Sequence, residues 1–330
     1  MIERNWINEF EQALGAWNKR HIITSPDVDG LLSAALLANH FNARLIGVYT
    51  TSHLILFDDF TTSAAKEAIW VDHDISYSGI ICMGQHLVRL QVDDQLPTRH
   101  TPNFNPNLIW PVAWENCFNG RQVSKVDKYP FATIHYLMRG LGVSDPPKHT
   151  KAYSLLAHAD GTWVTSYDYP FNCNQWREWM FEDWPGLIND LVDQTYCDNQ
   201  SLKIHLDILS DLLSHGISKG RSRAKVSQDI PRDWAEIEGH QGIRFSKRTK
   251  WAPWIEKFNG VLNYISEVMG WDIENPEKIS QVISGVAQPE YPDRILRTQS
   301  LDEWLIENQV FSHAITFRNT IRYTTDLDLT

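Results

Sequence analysis

Apolar positions recur at two different periods in the N-terminal part of the chain. Trp6, Phe10, Leu14 and Trp17 follow three- and four-residue steps, which predicts an amphipathic helix over residues 3–18. Short apolar runs bounded by polar turn residues follow. They predict strands at about 20–25, Arg44–Thr50, His53–Phe57, Ala68–Val71 and Gly79–Met83, with a helix at about 30–40 between the first two. Several of these runs end in acidic or histidine residues: Asp27 and Asp29, Asp58 and Asp59, Asp72-His73-Asp74, and His86. A strand–helix–strand order with such residues at strand ends is how a parallel α/β sheet builds a site.

The pattern then changes. Residues 91–128 are rich in Pro and Asn, as in Thr-Pro-Asn-Phe-Asn-Pro-Asn107, and read as a long ordered loop or lid. Helices are predicted at Tyr129–Leu141 and at about 150–159, the second running into His158-Ala-Asp160-Gly161-Thr162. From 200 onward the periodicity is mainly helical, at 200–215, 254–268, 276–285 and 300–309, before a terminal strand at His313–Thr324. A chain of 330 residues is long enough for two cores. The expected fold is therefore α/β, a mainly parallel sheet with flanking helices over 1–195, plus a mostly helical C-terminal part over 196–330.

The most informative stretch is Ser25-Pro-Asp27-Val-Asp29-Gly30-Leu-Leu-Ser33. Two carboxylates at i, i+2 on the tip of a strand can ligate adjacent divalent ions, and hard cations such as Mg²⁺ and Mn²⁺ take oxygen ligands of this kind. Gly30 lets the chain turn into the helix, whose N-terminus favours a phosphate nearby. A helix cap and a solvated turn residue account for one of these aspartates but leave the pair unexplained.

This motif resembles the first motif of the DHH phosphoesterase superfamily, which includes RecJ-type exonucleases, oligoribonucleases, cyclic-dinucleotide phosphodiesterases and family II pyrophosphatases. The resemblance spans roughly residues 20–165. It implies a parallel α/β domain whose strand ends hold two Mn²⁺ or Mg²⁺ ions, with Asp27, Asp29, Asp72, Asp160 and His86 as metal ligands. Asp72, His86 and Asp74 would be the catalytic group. Asp72 takes the place of the second-motif aspartate, and Asp160 that of the fourth-motif aspartate. In Met83-Gly84-Gln85-His86, only the last His of the Asp-His-His triplet is retained. A rival alignment takes Asp58 or Asp59 as the second motif and Asp72-His73-Asp74 as the triplet. The interval from 59 to 72 is short for a full helical crossover, which favours the first alignment. A lone His at a strand end is also compatible with a structural role, for His73 and His86 alike.

Composition sets the outer limits. The net charge of −11 argues against a protein that coats nucleic acid indiscriminately. Two basic clusters nonetheless stand out in the second half: Lys219-Gly-Arg221-Ser-Arg223-Ala-Lys225, and Arg244-Phe-Ser-Lys247-Arg248-Thr-Lys250-Trp251. Arg221, Arg223, Lys247, Arg248 and Trp251 would form a local anion path with a stacking surface for a nucleic-acid or nucleotide substrate. The family's Gly-rich C-terminal substrate motif is not evident. Four scattered cysteines, without Cys-x-x-Cys spacing, read as free thiols. With no apolar run of about 20 residues and no apolar core near Met1, the chain is expected to be cytoplasmic, without a membrane partner. The function expected is a two-metal phosphodiesterase or nuclease acting on single-stranded or short nucleic acid. The alternative is a catalytically degenerate DHH-like protein that binds nucleic acid or a protein partner.

Overall fold

The computed structural model describes residues 4–15, 17, 20–76, 79–88, 90, 103–109, 128–143, 150–162, 165, 170–181, 251–316 and 320–329. Four short runs pair in parallel: β1 (His21–Thr24) with β2 (Arg44–Thr50) on one side and β4 (Ile69–Val71) on the other, and β4 with β5 (Ile81–Met83). Apolar side chains on both faces suit a parallel sheet covered from both sides. Ile22, Ile69, Val71 and Met83 enter one core, while Ile23, Trp70 and Cys82 enter the other.

The strand β3 (His53–Phe57) follows β2 after a tight turn and therefore runs antiparallel to it. Its reversal carries Asp58 to the end of the sheet opposite the C-terminal ends of the parallel strands. There Asp58 pairs with Arg44 at 3.1 Å and accepts the backbone N–H groups of Glu277 and Lys278.

The first core lies under the helix Val28–Phe41, whose residues 28–38 are all buried. Asp27 caps its start, and Asn42 ends it in the left-handed region at φ 53°. The helices Thr133–Gly140, Thr150–His158 and Trp251–Met269 share this layer, through Ile134, Leu155, Phe258 and Leu262 among others. The opposite face packs Tyr49, Trp70 and Phe311 edge-on, with centroids 5.3–5.7 Å apart, beside Ala65 of the short helix Thr62–Lys66.

Among the described residues, the C-terminal part carries strands as well as helices. The helix expected at 276–285 is instead a strand, β6 (Ile279–Ser284), paired antiparallel with β3. A short apolar run such as Ile279-Ser-Gln-Val-Ile does not separate strand from helix by period. The open edge of β3 decides it. The sheet order among the described residues is thus β5-β4-β1-β2-β3-β6. The single terminal strand expected is two strands, β8 (Ser312–Thr316) and β9 (Thr320–Thr325), which join β7 (Val286–Glu290) in a second sheet ordered β7-β9-β8.

Residues after 250 share both sheet and core with the N-terminal half, through β6 and the helix Trp251–Met269. The expected boundary at 195/196, the helix at 200–215 and most of the 91–128 loop lie outside the described residues. Among those described, no helix is long and apolar enough to cross a membrane.

Candidate functional site

β1 has β2 on one side and β4 on the other, so the chain order reverses beside it. The crevice beyond the carboxyl ends of such strands is where open α/β sheets place their sites. Ser25, Asp27 and Asp29 follow β1, Asp72 follows β4, and Gln85 and His86 follow β5. The N-terminus of the helix Thr133–Gly140 and Asp160 complete the group through the bonds described below.

Two hydrogen-bonded poles can be distinguished. In the first, Ser25 Oγ lies 2.9 Å from Asp27 Oδ1 and 2.5 Å from Asp72 Oδ2. Asp72 Oδ1 accepts from Thr133 Oγ1 at 3.0 Å and lies 3.3 Å from His86 Nε2. Asp27 Oδ1 also accepts the Gly30 N–H at 3.0 Å, as an N-cap does, while its Oδ2 has no partner among the described residues. A serine hydroxyl carries one hydrogen. Both Ser25 contacts are therefore hydrogen bonds when one of the two carboxylates is protonated.

The second pole is built on Asp29, which is fully buried. Its Oδ2 accepts from Thr133 N at 2.8 Å and Gln85 Nε2 at 3.3 Å, and its Oδ1 from Ile134 N at 2.9 Å and Ser33 Oγ at 3.4 Å. Two of these donors are unpaired N–H groups of a helix N-terminus, where a carboxylate also meets a favourable dipole. Gln85 Nε2 bonds to Asp160 Oδ2 as well.

Burial and mutual repulsion raise the carboxyl pKa values. Asp27 is pushed up from 3.8 to about 6, by burial first and then by Asp160. Burial, followed by Asp72, Asp160 and Asp27, raises Asp29 well above the ordinary range. Asp72 is raised by burial and then by Asp27 and Asp160. The donors serving these groups among the described residues are neutral hydroxyls, amides and backbone N–H groups, apart from His86. Uncompensated carboxylates held this close favour either protons or cations.

Two glycines are required by close approach. A Cβ on Gly30 would fall 2.1 Å from Ser25 Oγ, and one on Gly84 would fall 2.6 Å from Asp74 Oδ2. Gly30 already lies in the helix. Its small size therefore serves the serine that joins Asp27 to Asp72, more than the turn expected of it.

Asp74, expected in the catalytic group, has both carboxylate oxygens engaged by structural donors. Its Oδ2 accepts the backbone N–H groups of His86 and Leu87 at 2.8 and 2.9 Å, and its Oδ1 accepts the side-chain amides of Asn103 and Asn105, both at 2.9 Å. Four donors fill the four lone-pair positions of a carboxylate. Asp74 instead fastens the loop that carries Gln85 and His86. Asn107 adds to the fastening by donating to Gln85 O at 2.8 Å and accepting from Tyr129 N at 2.7 Å. Asp74→Ala should lower unfolding free energy in urea by about 2–5 kcal/mol, because buried donors lose their acceptor. A loss under about 1 kcal/mol would show that the strap is not structural.

The geometry also separates the two histidines. His86 meets Asp72, whereas His73 packs against Tyr49 and Trp70 on the opposite face, with centroids 5.0 and 6.4 Å away. Asp58, with Arg44, is at the opposite end of the sheet, by the start of β2. Sequence reasoning missed the roles of Gln85, Asn103, Asn105 and Asn107, although alternation in Asn103-Phe-Asn105 places those two amides on one side of an extended segment, ahead of the short helix Pro106–Ile109 that carries Asn107. Arg221, Arg223, Lys247 and Arg248 lie outside the described residues, and Trp251 opens the helix Trp251–Met269 with its side chain outside them.

The donor set, carboxylate oxygens with one imidazole, suits Mn²⁺ or Mg²⁺. As they stand, no three His, Cys, Asp or Glu side chains among the described residues converge on one ion position. Asp27, Asp72 and His86 offer donor types of this kind, Asp72 lying 3.3 Å from His86 and joined to Asp27 through Ser25 Oγ. Asp29 does not fit, since all four of its lone-pair positions are taken. No protein-family model matches the chain, and neither does any curated protein or solved structure.

Proposed function

We propose that this chain is a divalent-cation-dependent phosphoesterase of the DHH type, hydrolysing phosphodiester bonds in single-stranded or short nucleic acid. The observation that carries the proposal is the group of buried carboxylates at the C-terminal ends of β1 and β4, which raise one another's pKa and, among the described residues, are served by neutral donors and His86. Such a group costs stability, and a bound cation relieves the cost.

Asp27, Asp72 and His86 would hold Mn²⁺ or Mg²⁺. The bound ion would supply Lewis-acid polarisation of a phosphoryl oxygen and a more acidic water. Ser25 holds Asp27 and Asp72 together, and Thr133 orients Asp72 from the other side. Asp74 and its asparagines fix the backbone from which His86 reaches the site. The basic residues Arg221, Arg223, Lys247 and Arg248 would supply charge to hold the anionic substrate.

Purified full chain with Mn²⁺ should shorten a labelled single-stranded oligonucleotide, and EDTA should stop it. If oligonucleotides, dinucleotides and pyrophosphate all stay intact, the enzyme reading fails. A second reading, a binding module that keeps the architecture without hydrolysis, is favoured by Gln85, a neutral amide at the position the family gives to a histidine. It predicts that the same oligonucleotide shifts in a gel without being cut.

A further inference from the structure

We propose that the side-chain amide of Gln85 takes the place of a second cation, so that the site accommodates a single divalent ion at the Asp27–Asp72–His86 pole. This rests on the metal-dependent reading above and narrows it from the two ions implied by the resemblance. The Gln85 amide meets a carboxylate on either side, Asp29 Oδ2 at 3.3 Å and Asp160 Oδ2. Both partners are acceptors, so the amide presents its NH₂ group to them, and its two N–H bonds serve the two oxygens. A cation bridging Asp29 and Asp160 would occupy the same space between them.

Three further features hold this arrangement. Asp29 is already saturated by Thr133 N, Ile134 N and Ser33 Oγ in addition to Gln85, so ligation would strip donors from the N-terminus of a helix. Gln85 is buried, so it does not swing aside into solvent without opening its surroundings. Its backbone carbonyl is tied by Asn107 Nδ2 at 2.8 Å, and the following residues by Asp74, which fixes where the amide begins. The other pole is different. His86 is partly exposed, and Asp27 keeps an oxygen without a partner among the described residues. One pole is closed by protein hydrogen bonds, and the other is open to an ion.

The test counts Mn²⁺ bound per full chain by calorimetric titration and by electron paramagnetic resonance. One ion per native chain, with the spectrum of an isolated Mn²⁺, is expected. Gln85→His and the near-isosteric Gln85→Glu should each take up a second ion, and the second Mn²⁺ should then couple magnetically to the first. In metal-free buffer Gln85→Glu should melt below the native chain, because it sets a third carboxylate between two others, and Mn²⁺ should restore it. Two ions on the native chain would overturn this inference while leaving the metal-dependent reading intact. No ion on the native chain would overturn both. Variants that fold and still bind one ion would show that Gln85 does not hold the place of a cation.

Discussion

Asp72→Asn is expected to abolish the stabilisation of the chain by Mn²⁺ and to reduce hydrolysis by more than the ~10–100-fold typical of losing a group that merely orients a ligand. Asp72 is the residue on which the first pole converges, with Ser25 at 2.5 Å, Thr133 at 3.0 Å and His86 at 3.3 Å. The same variant should melt higher than the native chain when no metal is present. Asparagine removes one of the repelling charges and still offers an oxygen to Thr133 and an NH₂ to Ser25. Opposite signs with and without Mn²⁺ distinguish a metal-binding role from a structural one, since a purely structural aspartate would lose stability in both. Asp58→Asn is the matched control. Its Oδ1 can still accept from Glu277 and Lys278, and losing the partly exposed pair with Arg44 should cost at most about 1 kcal/mol. Activity and the Mn²⁺ shift should stay unchanged. Equal damage from Asp58→Asn would reinstate the rival alignment in which it supplies the second motif.

The second large effect is in pH. Asp27 rises from 3.8 to about 6 in the folded chain, and Asp29 and Asp72 move in the same direction. A folded carboxyl with a raised pKa prefers its proton. Its contribution to stability is therefore fully present below pH 3.8 and is lost as pH rises through about 6. At about 1.4 kcal/mol per unit, Asp27 alone accounts for a loss on the order of 3 kcal/mol across that window. Mn²⁺ binds the deprotonated carboxylates and reverses the loss. The melting shift produced by Mn²⁺ should accordingly be small near pH 5 and larger near pH 7.5. Between pH 5 and pH 7.5 only about one unit of that window is crossed, about 1.4 kcal/mol, so at roughly 2 °C per kcal/mol Asp27 alone gives a difference of about 3 °C. Differential scanning fluorimetry with EDTA and with Mn²⁺ across this range gives the answer. A shift of the same size at both pH values would mean that the cation does not compete with protons at these carboxylates.

Local rules and tertiary packing divide the site between them. By itself the amino-acid order determines what depends on neighbours: apolar runs of strand length at β1 to β5, the Asp27 cap, the helix that follows it, and Asp72 at the end of an apolar run. These are legible because alternation, capping and turn chemistry act over a few residues. Long-range partners are decided elsewhere. Asp29 takes its backbone donors from Thr133 and Ile134, more than a hundred positions away in the chain, and only packing of the two helices reveals that its lone pairs are spent. Asp74 repeats the spacing of Asp27 and Asp29, yet Asn103 and Asn105 turn it into a strap. The 279–284 run carries a period suited to either element, and the unpaired N–H and C=O groups along β3 make it a strand. Composition and spacing thus select which residues bear charge. Which of those charges stay open to a ligand depends on the hydrogen-bond donors that the fold brings to them, because a buried carboxylate is satisfied by whatever donors lie within about 3 Å.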